Sequence, residues 1–167
     1  GEITVTILYD NTAFAPGTEA DWGFACLVEG MEKTILFDTG TKPEVFFRNL
    51  EALDVDLTEV DLVVISHEHG DHTGSLVRVL EQHHGLPVYH PVSFSDDFVA
   101  SVAKAGATSV PVTEPVEIIP GAYLTGEMGT AIKEQSLILE TADGPVVITG
   151  CSHPGIVEIL EKTEQIL

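Results

Sequence analysis

The sequence predicts an α/β fold (α+β in some schemes), and three observations predict it. Strand-like and helix-like segments alternate along most of the 167 residues. Hydrophobic residues make up 44% of the chain, which supplies a substantial core. Two short, mostly apolar runs, 62–65 and 146–149, each lead into a cluster of side chains able to do chemistry. A strand buried on both faces reads as such a run. A single domain over 1–167 is the natural reading of this length.

The elements follow in order. Ile3, Val5 and Ile7 alternate with Thr4 and Thr6, predicting a half-buried strand that ends at Asp10 and Asn11. Residues 11–21 hold Pro16 and Gly17 among small polar residues and read as a loop. Segments 24–28 and 34–37 form a strand pair, after which Asp38, Thr39 and Gly40 close a strand end. A helix starts near Thr41 with Pro43 in its first turn and sets Val45, Phe46, Leu50 and Leu53 on one face. Past the strand at 62–65, Leu76, Val77 and Leu80 mark a helix that fades at His83, His84 and Gly85. Imidazoles there suit the negative end of the helix dipole. A short strand at 87–89 leads to His90. Phe94, Phe98 and Val102 then mark a helix stopped by Gly106. Residues 108–126 carry three prolines between β-rich runs, and 136–140 with 146–149 form a hairpin around Asp143 and Gly144. The last helix, 155–167, places Ile156, Ile159, Leu160, Thr163 and Leu167 at helical spacing.

Composition narrows the partners. Twenty-seven acidic residues against seven Lys plus Arg give a net charge of −20, which repels nucleic acid and anionic lipid, so neither is an expected partner. No apolar run approaches the ~20 residues that cross a bilayer, and no basic segment followed by an apolar one opens the chain. Two cysteines make no disulfide framework, and a reducing cytoplasm is the expected location.

The chemistry gathers after two strands. Ser66 is followed by His67, Glu68, His69, Gly70, Asp71 and His72. In an extended segment His67 and His69 point to one side, and Gly70 is expected to turn the backbone sharply, bringing Asp71 and His72 to the same point. Neutral imidazoles with a hard carboxylate suit a divalent metal. Thr149, Gly150, Cys151, Ser152 and His153 form the second cluster. His153 is the next candidate ligand, though a histidine at a helix start also caps or packs. Cys151 is either a soft thiolate ligand or a small packing residue. His90, at a strand end, reads as a pocket residue or as a satisfied polar side chain.

The sequence HEHGDH at 67–72 matches an H-x-H-x-D-H signature and resembles the metallo-β-lactamase superfamily. ILYDNTA (7–13), EADWGFACLVE (19–29), ILFDTG (35–40), YLTGE (123–127) and PVVITGCSHPGIV (145–157) narrow the resemblance. They are similar to the branch containing the dihydropterin-phosphate synthase of methanopterin biosynthesis and related uncharacterised metal-dependent hydrolases. The resemblance implies an αββα sandwich with the metal site at one sheet edge. It implies metal ligation by His67, His69, Asp71, His72 and His153, with Cys151 where many members have a bridging aspartate. Asp38 is implied to lie beneath the histidine loop, and Asp10, Asn11, Trp22 and Glu127 to line the pocket, although Asp10 and Asn11 read equally as turn formers, Trp22 as core and Glu127 as a turn residue. Asp71 is in addition the expected catalytic proton acceptor.

One or two divalent ions per chain are expected, zinc first, with manganese or iron as alternatives. The function so implied is metal-dependent hydrolysis, or a synthase reaction using the same chemistry, on an ester or phosphorylated small molecule. The other reading is a non-catalytic or incomplete metal-binding domain completed by a partner chain. Branch members continue past the position of Leu167, so a shortened C-terminal part is expected. No histidine follows His153, from which one tightly held ion, a weak second site and a homo-oligomer are expected.

Overall fold

A computed structural model describes residues 1–12 and 14–167; residue 13 of the expected loop at 11–21 lies outside the described residues. Two sheets pack face to face. The first holds β1 (Thr4–Tyr9), β2 (Ala25–Glu29), β3 (Ile35–Phe37), β4 (Leu62–Val64), β5 (Pro87–Pro91) and β6 (Thr108–Val112), in that spatial order. Pairing is antiparallel from β1 to β3 and parallel from β3 to β6. Each parallel connection needs a crossover, and two crossovers carry the helices α1 (Pro43–Ala52) and α4 (Asp96–Lys104). Between β4 and β5 the chain forms a short turn of helix, α2 (Gly70–Thr73), and then α3 (Leu76–Gln82). The second sheet is an antiparallel run of β7 (Val116–Ile119), β8 (Ala122–Leu124), β9 (Leu137–Thr141) and β10 (Gly144–Ile148). The last helix is α5 (Ile156–Ile166).

Side-chain alternation sorts the apolar residues into two layers. Cys26, Val28, Ile35, Phe37, Leu62 and Val64 face Leu124, Leu137 and Leu139 between the sheets. Leu27, Leu36, Val63 and Ile65 turn the other way, onto Val45, Phe46, Val79, Leu80, Phe98 and Val102 of α1, α3 and α4. The central strand β4 is thus buried on both faces, as its unbroken apolar run requires. Each such side chain contributes about 1.5–3 kcal/mol by leaving water. Tyr123 of β8 pairs with Ile138 of β9, and a cavity beside Tyr123 is also lined by Lys162, Gln165 and Ile166, which places α5 over the outer face of the second sheet. The order of layers is helix, sheet, sheet, helix.

Three local expectations change. Gly70 makes no sharp turn: its φ is not positive, it opens α2, and a Cβ there would meet nothing within 4 Å. The helical start itself, with His69 extended at its N-cap, delivers Asp71 and His72. Val77 is exposed, and Val79 takes the inward position beside Leu76 and Leu80. On α5 only Ile159 and Thr163 are buried, while Ile156, Leu160 and Leu167 are exposed, because one helix meets the outer sheet along a narrow stripe.

Candidate metal centre

Two loops from different sheets meet at one edge of the sandwich. The first, residues 66–73, continues from β4; the second, residues 149–153, continues from β10. Their approach is close enough that a Cβ on Gly150 would collide with Ser66 Oγ and stand 3.0 Å from His67 Nδ1. Glycine is required there by space, not by φ. Around the junction two donor groups form. The ligating atoms of His67, His69 and His153 all lie within 4.8 Å of one another, and so do those of His67, His72 and Cys151. Cys151 Sγ is 3.2 Å from His72 Nε2, and Asp71 Oδ2 is 3.5 Å from that same nitrogen. All six residues expected as ligands therefore stand in one cluster.

The histidine loop hangs from Asp38. This carboxylate is fully buried, and its backbone is held in the left-handed region at φ 57°. Its Oδ1 accepts from Ser66 N (2.8 Å), while Oδ2 accepts from Ser66 Oγ (2.6 Å) and from His72 Nδ1 (2.7 Å). Ser66 has one hydroxyl proton and gives it to Asp38. Its oxygen is then an acceptor for His67 Nδ1, 2.8 Å away. Each imidazole is thereby fixed with its Nε2 lone pair toward the junction.

Burial would lower the His72 pKa, but the hydrogen bond and charge of Asp38, helped by Asp71 and Glu134, raise it. Burial raises the Asp38 carboxyl above the usual carboxylate range, and the hydrogen bond and charge of His72, then the bonds from Ser66, oppose that rise. His67 goes the other way. Burial, and then the neighbouring His72, His69 and His153, push it down to about 3, so it is a neutral donor at pH 7. The Cys151 thiol is pushed up to about 11, by burial and then by Asp71, Glu134 and Asp38.

A divalent cation fits this donor set on one further observation. His67 Nε2 is buried and has no hydrogen-bond partner among the described residues. Buried polar atoms are otherwise partnered, and this one is aimed at the other imidazoles and the thiol.

Clefts flank the junction on two sides. One, of about 270 Å³, is walled by Asp10, Asn11, Trp22, Phe24, Asp71 and Cys151. Trp22 is 71% exposed there, which makes it a cleft wall and not core. Asn11 Oδ1 accepts from Gly23 N (2.7 Å), tying that wall together. The other cleft, of about 330 Å³, runs from His69 past Ser93 and Phe94 to Thr130, Ile132 and Lys133. A larger cavity beside α5 shares no residue with the cluster.

Two expected pocket residues sit elsewhere. His90 bonds Pro91 O through Nδ1 and Ser109 Oγ through Nε2, and it stacks on Phe94, so it is a satisfied interior side chain. Glu127 accepts from Ser93 N (2.8 Å) and Ser93 Oγ (2.6 Å) and lines neither cleft; it ties one loop to another. Glu68, inside the histidine motif, points away and accepts from Ser95 at the start of α4.

Sequence reasoning passed over Ser66 and Glu134. Glu134 is fully buried, receiving Thr149 Oγ1 and Ser152 N at 2.9 Å. It stands three positions before β9, and a buried ionisable residue has to be satisfied by something.

The chain has the metallo-β-lactamase-type fold, and part of it also matches that superfamily in sequence. Residues 23–98 match the sequence model of the metallo-beta-lactamase superfamily. A curated relative is the 7,8-dihydropterin-6-methyl-4-(beta-D-ribofuranosyl)-aminobenzene-5'-phosphate synthase of Methanocaldococcus jannaschii. It is 27% identical in an alignment that covers 96% of this chain and 71% of the relative. Among solved structures, the metallo-beta-lactamase fold protein YhfI of Bacillus subtilis aligns with a TM-score of 0.67 at 19% identity. The alignment covers 90% of this chain, which spans only 63% of the Bacillus one. A quorum-quenching N-acyl homoserine lactone lactonase aligns with a TM-score of 0.62 at 15% identity, over 98% of this chain and 86% of its own. No helix among the described residues is long and apolar enough to cross a membrane.

Proposed function

We propose that the chain is a metal-dependent hydrolase, or a synthase using the same chemistry, acting on an ester or phosphorylated small molecule. The observation that carries this is the pair of donor triads sharing His67, whose Nε2 is buried without a partner. His67, His69 and His153 would hold one divalent ion, and His72, Cys151 and Asp71 a second, zinc being the first choice for such a set. Such an ion supplies Lewis acidity and makes water acidic near neutral pH.

The chain's own residues do the rest. Asp38 and Ser66 fix the imidazole orientations. Asp71, half-buried at the cleft mouth, offers a carboxylate oxygen as proton acceptor. Trp22 and Phe24 on one side and Phe94 on the other give apolar walls against which a small substrate excludes water. The synthase relative supports a phosphorylated substrate, and the ester alternative rests on the chemistry of the centre.

Metal analysis of the purified protein and of His69→Ala, joined to a panel of phosphoesters, carboxylic esters and lactones, tests the proposal. The expected result is bound metal, at least ten-fold weaker retention in the variant, and turnover on one ester class. Full chelator-resistant metal in His69→Ala would defeat the site assignment. Tight metal with no turnover would favour a binding domain completed by a partner chain.

A further inference from the structure

The second ligand loop carries little that would hold its shape by itself. Cys151 and His153 are exposed, Gly150 contributes no side chain, and Ser152 sits in the left-handed region at φ 58°. A non-glycine residue persists there only where its surroundings hold it. Within the loop Thr149 Oγ1 and Ser152 Oγ are 3.2 Å apart and Gly155 N donates to Ser152 O (2.9 Å); most of its other hydrogen bonds run to Glu134. Oε2 accepts from Ser152 N and Thr149 Oγ1, and Oε1 accepts from Cys151 N and His153 N, each at 3.4 Å. Three successive backbone N–H groups converge on one buried carboxylate, which answers the cost of burying its charge. The same Oε1 stands 3.5 Å from His67 Nδ1.

The segment carrying Glu134 is itself fixed to the first loop. Gln135 N donates to Ser66 O (2.9 Å), and Gln135 Nε2 donates to Ile65 O (3.0 Å) and Tyr89 O (3.2 Å). Glu134 and Met128 exchange backbone hydrogen bonds at 2.9 Å each way. The carboxylate is thus presented from a rigid base anchored at the end of β4.

We propose that Glu134 is a positioning residue that holds Cys151 and His153 in register with His67, so that one buried carboxylate sets both donor triads at once. The clamp stands on the hydrogen bonds alone; its consequence for metal rests on the function proposed above.

Two measurements on Glu134→Gln test it, with Glu134→Asp as the charge-conserving variant. Glutamine keeps the shape but turns an amide N–H₂ toward amide donors. In folded, metal-free protein, amide exchange at residues 151–153 is expected to quicken by about ten-fold or more, while β9 and β10 keep their protection. Zinc affinity, read by competition with a chromophoric chelator, is expected to fall by about 10- to 100-fold, with partial recovery in Glu134→Asp. Unchanged exchange at 151–153 overturns the clamp. Faster exchange with zinc affinity within two-fold of the parent overturns the positioning role. If Glu134→Gln does not fold, Glu134→Asp carries both measurements, with smaller shifts expected in the same directions and the same two results overturning the proposal. If the parent itself binds neither zinc, manganese nor iron, the proposed function fails, and exchange still decides the clamp.

Discussion

The two loops that meet at the centre differ in how much of their order comes from the strand they continue. The histidine loop grows out of a strand packed on both faces, and it carries His67, His69, Asp71 and His72 within six residues. It is held from below by Asp38, itself at the end of the adjacent strand β3. The loop after β10 brings Cys151 and His153 on an exposed stretch, and takes its form from Glu134, which precedes β9. Donor density in the sequence therefore says little about which loop needs outside support. Both loops lean on a buried carboxylate from elsewhere in the chain, Asp38 for the dense motif and Glu134 for the sparse one, and the dense motif in addition continues a strand buried on both faces.

The strongest way to break this contrast is to remove the support of the dense loop. Asp38→Ala would leave Ser66 N, Ser66 Oγ and His72 Nδ1 as buried donors without their acceptor, at a cost of about 3 kcal/mol. Urea unfolding of metal-free protein reads it, and a loss below about 1 kcal/mol would mean that the histidine loop stands without Asp38. A smaller effect is expected where the loops touch. Gly150→Ala places a methyl against Ser66 Oγ, and the loops must part to admit it. Metal affinity should fall by about 30-fold with the sheets intact by circular dichroism. Parent-like affinity would show that the second loop adapts freely.

The mildest test concerns Cys151. Its pKa in metal-free protein is raised to about 11, so near pH 8 roughly one thiol in a thousand is ionised. Alkylation should be slow there and gain about ten-fold per pH unit as pH rises toward the pKa. Bound metal should suppress it further if the sulfur ligates. Equal rates with and without chelator would give Cys151 a packing role.

How much of this was legible follows from the same contrast. The buried strand at 62–65, the crossover helices and the donor motif could be read because period, apolar run and residue type all point one way. Asp38 was placed by resemblance, and its bonds to Ser66 and His72 match that placement. Glu134 escaped because its partners are backbone N–H groups some twenty residues on, which leave no mark in the sequence. His90 and Glu127 could be read two ways for a related reason. A polar residue near a strand end looks the same whether it faces a cleft or, like His90, bonds Ser109 and Pro91 inside the fold. The face of α5 was overstated because helical spacing records which residues are apolar, and a lone helix on an outer sheet needs only Ile159 and Thr163 beneath it.

The centre also straddles the seam of the sandwich, with His67 on an extension of one sheet and His153 on an extension of the other. Those two positions are separated by roughly 85 residues of chain, and a tie between them would close a loop of that size, which for a covalent cross-link removes about 4–5 kcal/mol of entropy from the unfolded ensemble. Breathing of the two sheets at this edge and dissociation at the centre are then one equilibrium seen from two sides. Whatever binds both loops is drawn into the thermodynamics of the fold, and the rigidity of the seam sets how long it stays.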